Sequence, residues 1–143
     1  RAGSSARFAW GQDKDYSAMC TYANGADAVA KREFAGWTVA NCDDGYVYTS
    51  PVARYKPNAW GLHDMHGNVW EWVQDCHEEG YDKGQPTDGR AHRAMDASCS
   101  TRVLRGGSWI ISPQGLRSAN RVRVTPDNRN DYELGFRLAR TVS

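Results

Sequence analysis

A loop-rich α+β domain is the fold this sequence predicts, and three observations predict it. The 143 residues hold only 20 Leu, Ile, Val and Phe, against six Trp and seven Tyr. The core must therefore draw on aromatic rings, each burying a large area while keeping one polar handle. Gly, Asn, Asp and Pro cut the chain into short strand-like runs, and only one brief stretch of good helix formers stands among them. Low aliphatic content gives disorder when net charge is high; here the net charge is +1, so disorder is excluded. The length suits one ordinary domain, residues 1–143.

Taken in order, Ala26–Phe34 is the helical stretch, ended by Gly36. Tyr46–Thr49 and Pro51–Tyr55 read as strands around a turn. Gly67–Trp72 (GNVWEW) reads as a buried strand. Glu78–Ala97 is polar and without period, and is expected as a long loop. Val103–Leu104, Gly107–Ile111 and Gly135–Arg140 are further strands, and Leu116–Val124 alternates charged and small residues.

Four cysteines fall into two local pairs, Cys20 with Cys42 and Cys76 with Cys99. Neither has the CxxC spacing of zinc ribbons or redox sites. An even number closing two loops of about twenty residues fits two structural disulfides, each stabilising by roughly 3 kcal/mol. Disulfides imply an oxidising compartment: periplasm, cell surface or outside. There is no run of about 18 apolar residues, so no membrane-spanning helix is expected, and no signal-peptide pattern is present. The chain opens on Arg1 rather than Met, which reads as a processed product or a fragment.

Charge is unevenly divided. Residues 1–99 carry 10 basic and 14 acidic side chains, whereas residues 100–143 carry eight Arg, no Lys and three acids. Arg suits bidentate, partly buried pairing, so an internal Arg–carboxylate network is expected and nucleic-acid binding is not. Glu71, set between Trp70 and Trp72, needs a partner if buried. An Arg from 102–105 or 117–123, or a metal ion, would serve.

Three segments together carry a recognisable pattern: Asn58 to Trp72 (NAWGLHDMHGNVWEW), Arg102 to Trp109 (RVLRGGSW), and Arg117 to Arg121 (RSANR) leading to Gly135-Phe-Arg-Leu138. They closely resemble the formylglycine-generating enzyme, or sulfatase-modifying factor, superfamily, whose domain is a variant of the C-type lectin fold. The resemblance runs from Ala6 onward. The family domain is longer, and the resemblance implies that its N-terminal part is missing here, to be supplied by a further segment or a partner chain.

The resemblance also implies sites. Asp64, Gly67, Val69 and Glu71 match one calcium site of the family, and Asn24, Gly25, Asp44 and Tyr46 match a second; Asp, Asn and Gly present the oxygens calcium wants. His63 and His66 alone are a weak zinc signal, with no third ligand evident. The family's oxidases hold copper on two cysteines just after the GGS motif. Here that stretch, Trp109 to Leu116, has no Cys. Since thiolates select Cu(I), no copper is expected, and the reading leans away from an enzyme.

A binding role is expected instead, for a ligand or protein partner, as an independent module or an accessory subunit. The face would comprise Trp109, Ile110, Ile111, Ser112, Gly115, Val122, Val124, Asp131 and Tyr132, on a rigid scaffold. In retroelement-diversified targets sharing the lectin-like fold, such positions derive from asparagine codons randomised at adenine. Ile, Ser, Gly, Val, Asp and Tyr are all reachable that way, so a diversified variable protein is one form of this reading. A formylglycine-generating-type oxidase is the alternative.

Overall fold

A computed structural model describes residues 3–80, 84–128 and 132–139. Two short helices come first, α1 (Met19–Tyr22) and α2 (Ala28–Glu33), followed by strands β1 (Trp70–Cys76), β2 (Arg102–Arg105), β3 (Val122–Val124) and β4 (Leu134–Gly135). The strands form one sheet in the order β3-β2-β1-β4. β1 and β3 flank β2 antiparallel, and β4 joins the other edge of β1 in parallel. The architecture is the loop-rich α+β arrangement that the composition requires.

α2 begins where Asp27, as N-cap, accepts hydrogen bonds from the backbone of Val29 and Ala30, both at 3.0 Å. Of the expected Gly67–Trp72 strand only Trp70–Trp72 is extended sheet: positive φ at Gly67 and Asn68 (74° and 65°) turns the chain first, and β1 then runs on to Cys76, with a bulge between Trp72 and Cys76. Against it, β2 sets Leu104 opposite Trp72 and Arg105 opposite Glu71.

Three expected strands are loops. In 46–55, side chains take the backbone groups that a ladder would use. Asp44 accepts from Tyr46 N, Asn68 exchanges bonds with both backbone groups of Ser50, and Asp64 accepts from Ala53 N. Ala53 also has a positive φ of 59°, which ends any extended run. The segment 107–111 turns instead of extending: Gly107 has φ 82°, and Ile111 N donates to Ser108 O. The last strand, expected over Gly135–Arg140, is the two-residue β4; Arg140 lies outside the described residues.

The main core lies beside the sheet rather than on it. Phe8, Met19, Ala23, Ala40 and Leu116 are buried together, with Trp10, Tyr16, Cys20, Cys42 and Ile111 packed against them. Phe8, Trp10 and Tyr22 stack in series, with centroids 4.7 and 5.3 Å apart. His66 locks this layer: its Nε2 accepts from Ala9 N, leaving Nδ1–H to donate to Leu116 O at 2.6 Å. Burial holds the His66 pKa below 6.5. Gly67 carries a positive φ of 74° and meets the Asn24 backbone so closely that a Cβ would overlap the Asn24 carbonyl.

Both expected disulfides are present, Cys20–Cys42 and Cys76–Cys99, with Cα atoms 5.9 and 5.7 Å apart. They correct the sequence reading on one point. That reading took the chain to lack the family's active-site type of cysteine pair, and leaned away from an enzyme for that reason. The chain holds two intact cysteine pairs, so its cysteine content does not carry that argument. The stretch after Ser108 holds no Cys, while folding joins cysteines 22 and 23 residues apart elsewhere in the chain. Cys20 and Cys42 pack against the same core cluster as Ile111, just beyond Trp109.

Candidate functional site

Trp109 is the centre of an aromatic cluster. Its loop is pinned from two sides: Trp109 N donates to Asn68 O at 2.9 Å, and Ile111 O accepts from Ala26 N at 3.2 Å. Around the buried Trp109 ring stand Tyr48 (centroids 5.1 Å), Trp37 (5.9 Å), Tyr132 (6.0 Å) and Phe34 (6.2 Å). Phe34 and Trp37 stack on each other at 4.1 Å. Trp109 is only 6% exposed, whereas Tyr48 is 53% and Tyr132 72% exposed. The arrangement is a buried indole with open phenol rings at its margins. Beneath it, the fully buried Ser108 hydroxyl donates to the Glu133 carboxylate, and Glu133 O accepts from Trp70 N.

Of the expected binding residues, Trp109 and Tyr132 meet here. Ile111 turns inward to the core. Ile110 is half-buried, Ser112 precedes the 3-10 turn Pro113–Leu116, and Gly115 N closes that turn on Ser112 O at 2.8 Å. Val122 and Val124 lie on β3, at the opposite sheet edge from β4, which Tyr132 precedes. Asp131 lies outside the described residues. Phe34, Trp37 and Tyr48 were not foreseen; the signal available was the Phe34-x-x-Trp37 and Tyr46-x-Tyr48 aromatic spacing just beyond the helix.

The partner of Glu71 is Arg137, from neither of the two stretches expected. Arg137 Nε donates to Glu71 Oε2 at 2.7 Å and its Nη2 to Oε1. The same guanidinium reaches His63 O at 3.0 Å and Asp64 O at 2.9 Å, and the Glu71 carboxylate raises the Arg137 pKa. A cation on the Asp64, Gly67, Val69 and Glu71 set would compete with this guanidinium for Glu71, although Asp64 Oδ1 is buried without a partner.

The other oxygen set suits a hard cation better. Asn24 Nδ2 donates to Asp44 Oδ2 at 3.0 Å and to Tyr48 O at 3.1 Å, while Asn24 Oδ1 is buried with no partner. Burial pushes the Asp44 carboxyl up to about 7. Among the described residues, no group of three or more His, Cys, Asp or Glu side chains converges as a metal site.

A cleft of about 1050 Å³ opens beside β1, lined among others by Glu71, Trp72, Asp75, Arg105, Ser118 and Arg137. The Ser118 hydroxyl is buried there without a partner, and Phe136 and Leu138, 73% and 90% exposed, follow β4. No described helix is long and apolar enough to cross a membrane.

The sulfatase-modifying factor enzyme 1-like domain matches residues 1–142. The chain belongs to this family. It is 38% identical over 104 residues to the formylglycine-generating enzyme of Streptomyces coelicolor, covering 71% of this chain and 32% of that protein. It is 37% identical over 103 residues to the inactive C-alpha-formylglycine-generating enzyme 2 of Bos taurus, covering 68% and 28%. Among solved structures, PvdO from Pseudomonas aeruginosa superposes with a TM-score of 0.65 at 38% identity, covering 82% of this chain and 38% of that one. Treponema denticola variable protein 1 does so at 0.59 and 32%, covering 81% and 34%. The family member described here is thus related to an inactive paralogue and a variable protein, and spans about a third of the length of the curated relatives it matches.

Proposed function

We propose that this chain is a binding module of the sulfatase-modifying-factor family, taking a ligand or protein partner on the aromatic face centred on Trp109. The observation that carries the reading is one buried indole bordered by two open tyrosines on a loop pinned at both sides. Rings held in place present contact area at low entropic cost. The similarity to an inactive paralogue and to a variable protein supports the same reading, including its retroelement-diversified and accessory-subunit forms.

Finer parts follow. The module is exported to an oxidising compartment, as its two bridges favour. Its frame is of the C-type lectin kind. A structural calcium is held by Asn24, Gly25, Asp44 and Tyr46, which the buried Asn24 Oδ1 without a hydrogen-bond partner and the buried Asp44 carboxyl beside it support. The cleft beside β1 seats a further segment or a partner chain that completes the fold, which the exposed Phe136 and Leu138 and the longer relatives support.

The test is a peptide and glycan array, read with the parent protein and with a Trp37→Ala/Tyr132→Ala variant. Hits lost in the variant, at unchanged melting temperature, are expected; identical patterns would sink the reading. A second reading, a formylglycine-generating-type oxidase, is favoured by the identity to the Streptomyces enzyme and by the cysteine pairs. Tight Cu(I) binding with oxidation of a sulfatase-type cysteine peptide would establish it.

A further inference from the structure

We infer that the Trp109 face takes an organic cation, an alkylated ammonium or guanidinium group, seated against the rings with Glu133 as its counter-charge. The inference rests on the proposed binding role and names its ligand class. Aromatic faces carry negative potential, and a cation near several of them is attracted most strongly when partly desolvated. Here Trp37, Tyr48 and Tyr132 all lie within 6.0 Å, centroid to centroid, of Trp109.

A carboxylate completes such a site. Glu133 is half-buried and directly follows Tyr132. One of its oxygens is fixed by the Ser108 hydroxyl, and among the described residues no cation pairs with it. A half-buried carboxylate held by one neutral donor is partly stripped of water, and a cation beside it offsets that loss. Among the described residues, neither Lys31 nor Arg32 of α2 bonds Glu133. Lys31 donates to the Trp37 carbonyl, and Arg32 pairs with Asp43 at 3.3 Å. Neutral sugars also stack on rings and can hydrogen-bond a carboxylate, but they bring no charge to neutralise it, which is the difference the titration reads.

Calorimetric titration of the intact chain tests this with choline, its neutral isostere 3,3-dimethylbutanol, Nα-acetyl-arginine amide and diacetylchitobiose. Choline or the arginine amide should bind at least about fivefold more tightly than the isostere, and added salt should weaken it. Preference for the arginine amide would point to a side chain on a protein partner, and preference for choline to a free small molecule. Glu133→Gln keeps an acceptor for Ser108 and should lose most of that preference; Tyr132→Leu, at an exposed position, should weaken both cations. Equal binding of choline and isostere, binding of the disaccharide alone, or no binding of either cation overturns the inference. The broader reading falls separately, only if the array pattern ignores the face variants.

Discussion

Residues 20–42 and 76–99 are loops of nearly equal span, closed by bridges between cysteines 22 and 23 residues apart, and their contents are opposite. The first holds Ala23, Asn24, Gly25, Ala26, Asp27, Ala30 and Ala40, all buried, and sends backbone bonds outward to Asn68 and Ile111. In the second, Cys76 alone is buried among the described residues. That loop is ordered by polar links: Arg93 with Glu78 and Asp96, Asp96 with Ser98, and His92 N with Asp75. The loop-closure entropy removed from the unfolded chain is similar, roughly 3 kcal/mol each. What differs is whether the bridge fastens a core or fastens a surface. The Trp109 aromatic cluster leans on the first loop, because Ala26 holds Ile111 and Asn24 meets Gly67.

The largest expected effect contrasts two glycines. Both have positive φ, 74° at Gly67 and 84° at Gly89. A Cβ at Gly67 would overlap the Asn24 carbonyl, whereas one at Gly89 would meet nothing within 4 Å. Gly67→Ala should cost more than about 4 kcal/mol and abolish folding in practice. Gly89→Ala should cost about 1 kcal/mol, the left-handed strain alone. Denaturant melts of the two variants measure the difference, and equal losses would erase the contrast between the regions.

Next come two truncations. Leu116 is fully buried against Phe8, Met19, Ala23 and Ala40, so Leu116→Ala should cost about 3–5 kcal/mol. Met95, in the second loop, is 96% exposed, and Met95→Ala should stay within about 0.5 kcal/mol. A third comparison removes the bridges themselves. Cys20→Ser/Cys42→Ser leaves two hydroxyls against the core cluster on top of the lost closure entropy, so it should lower the melting temperature more than Cys76→Ser/Cys99→Ser does. The latter should instead raise proteolysis within 78–97 while the far-ultraviolet spectrum holds. A larger loss of melting temperature from opening the second bridge would reverse the assignment of core and surface roles.

The same contrast explains what the sequence disclosed. Both cysteine pairings, α2 and the GNVWEW strand were legible because each is local: a short loop, an N-capped run of Ala and Lys, an apolar stretch between turns. The ion pair of Glu71 was not, since its Arg137 partner lies 66 residues away and several arginines were eligible. The loops at 46–55 misled because Tyr and Val there suit strands, while the acceptors that claim their backbone, Asn68 and Asp64, come later in the chain. The aromatic cluster around Trp109 was half legible. Trp109 and Tyr132 stood out, but Phe34 and Trp37 of the first disulfide loop, and Tyr48 just beyond it, meet Trp109 only through the tertiary fold.

Acid should separate the two regions most finely. His66 belongs to the core layer, and burial keeps its folded pKa below the ordinary 6.5. Its contribution is therefore present above 6.5 and is lost as pH falls through that value toward the folded pKa, because the unfolded chain takes the proton first. Glu78 belongs to the second loop, and its hydrogen bonds from Arg93 and His92 hold its pKa below the ordinary 4.5. Its contribution persists above 4.5 and fades only below that. Between about pH 6.5 and 4.5, acidification should thus weaken the His66 contribution while the Arg93–Glu78 link persists; the buried Asp44 carboxyl, raised to about 7, takes up its proton with the opposite sign, so the His66 share is read as the difference between parent and variant. Amide exchange at Ala9, whose N–H bonds His66, should quicken relative to base-catalysis expectations before exchange at His92 does. The stability of the parent minus that of His66→Gln should fall as pH drops across this window, because Asp44 is common to both and cancels. A parent and variant with parallel pH–stability curves would show that the core imidazole is not what acid attacks.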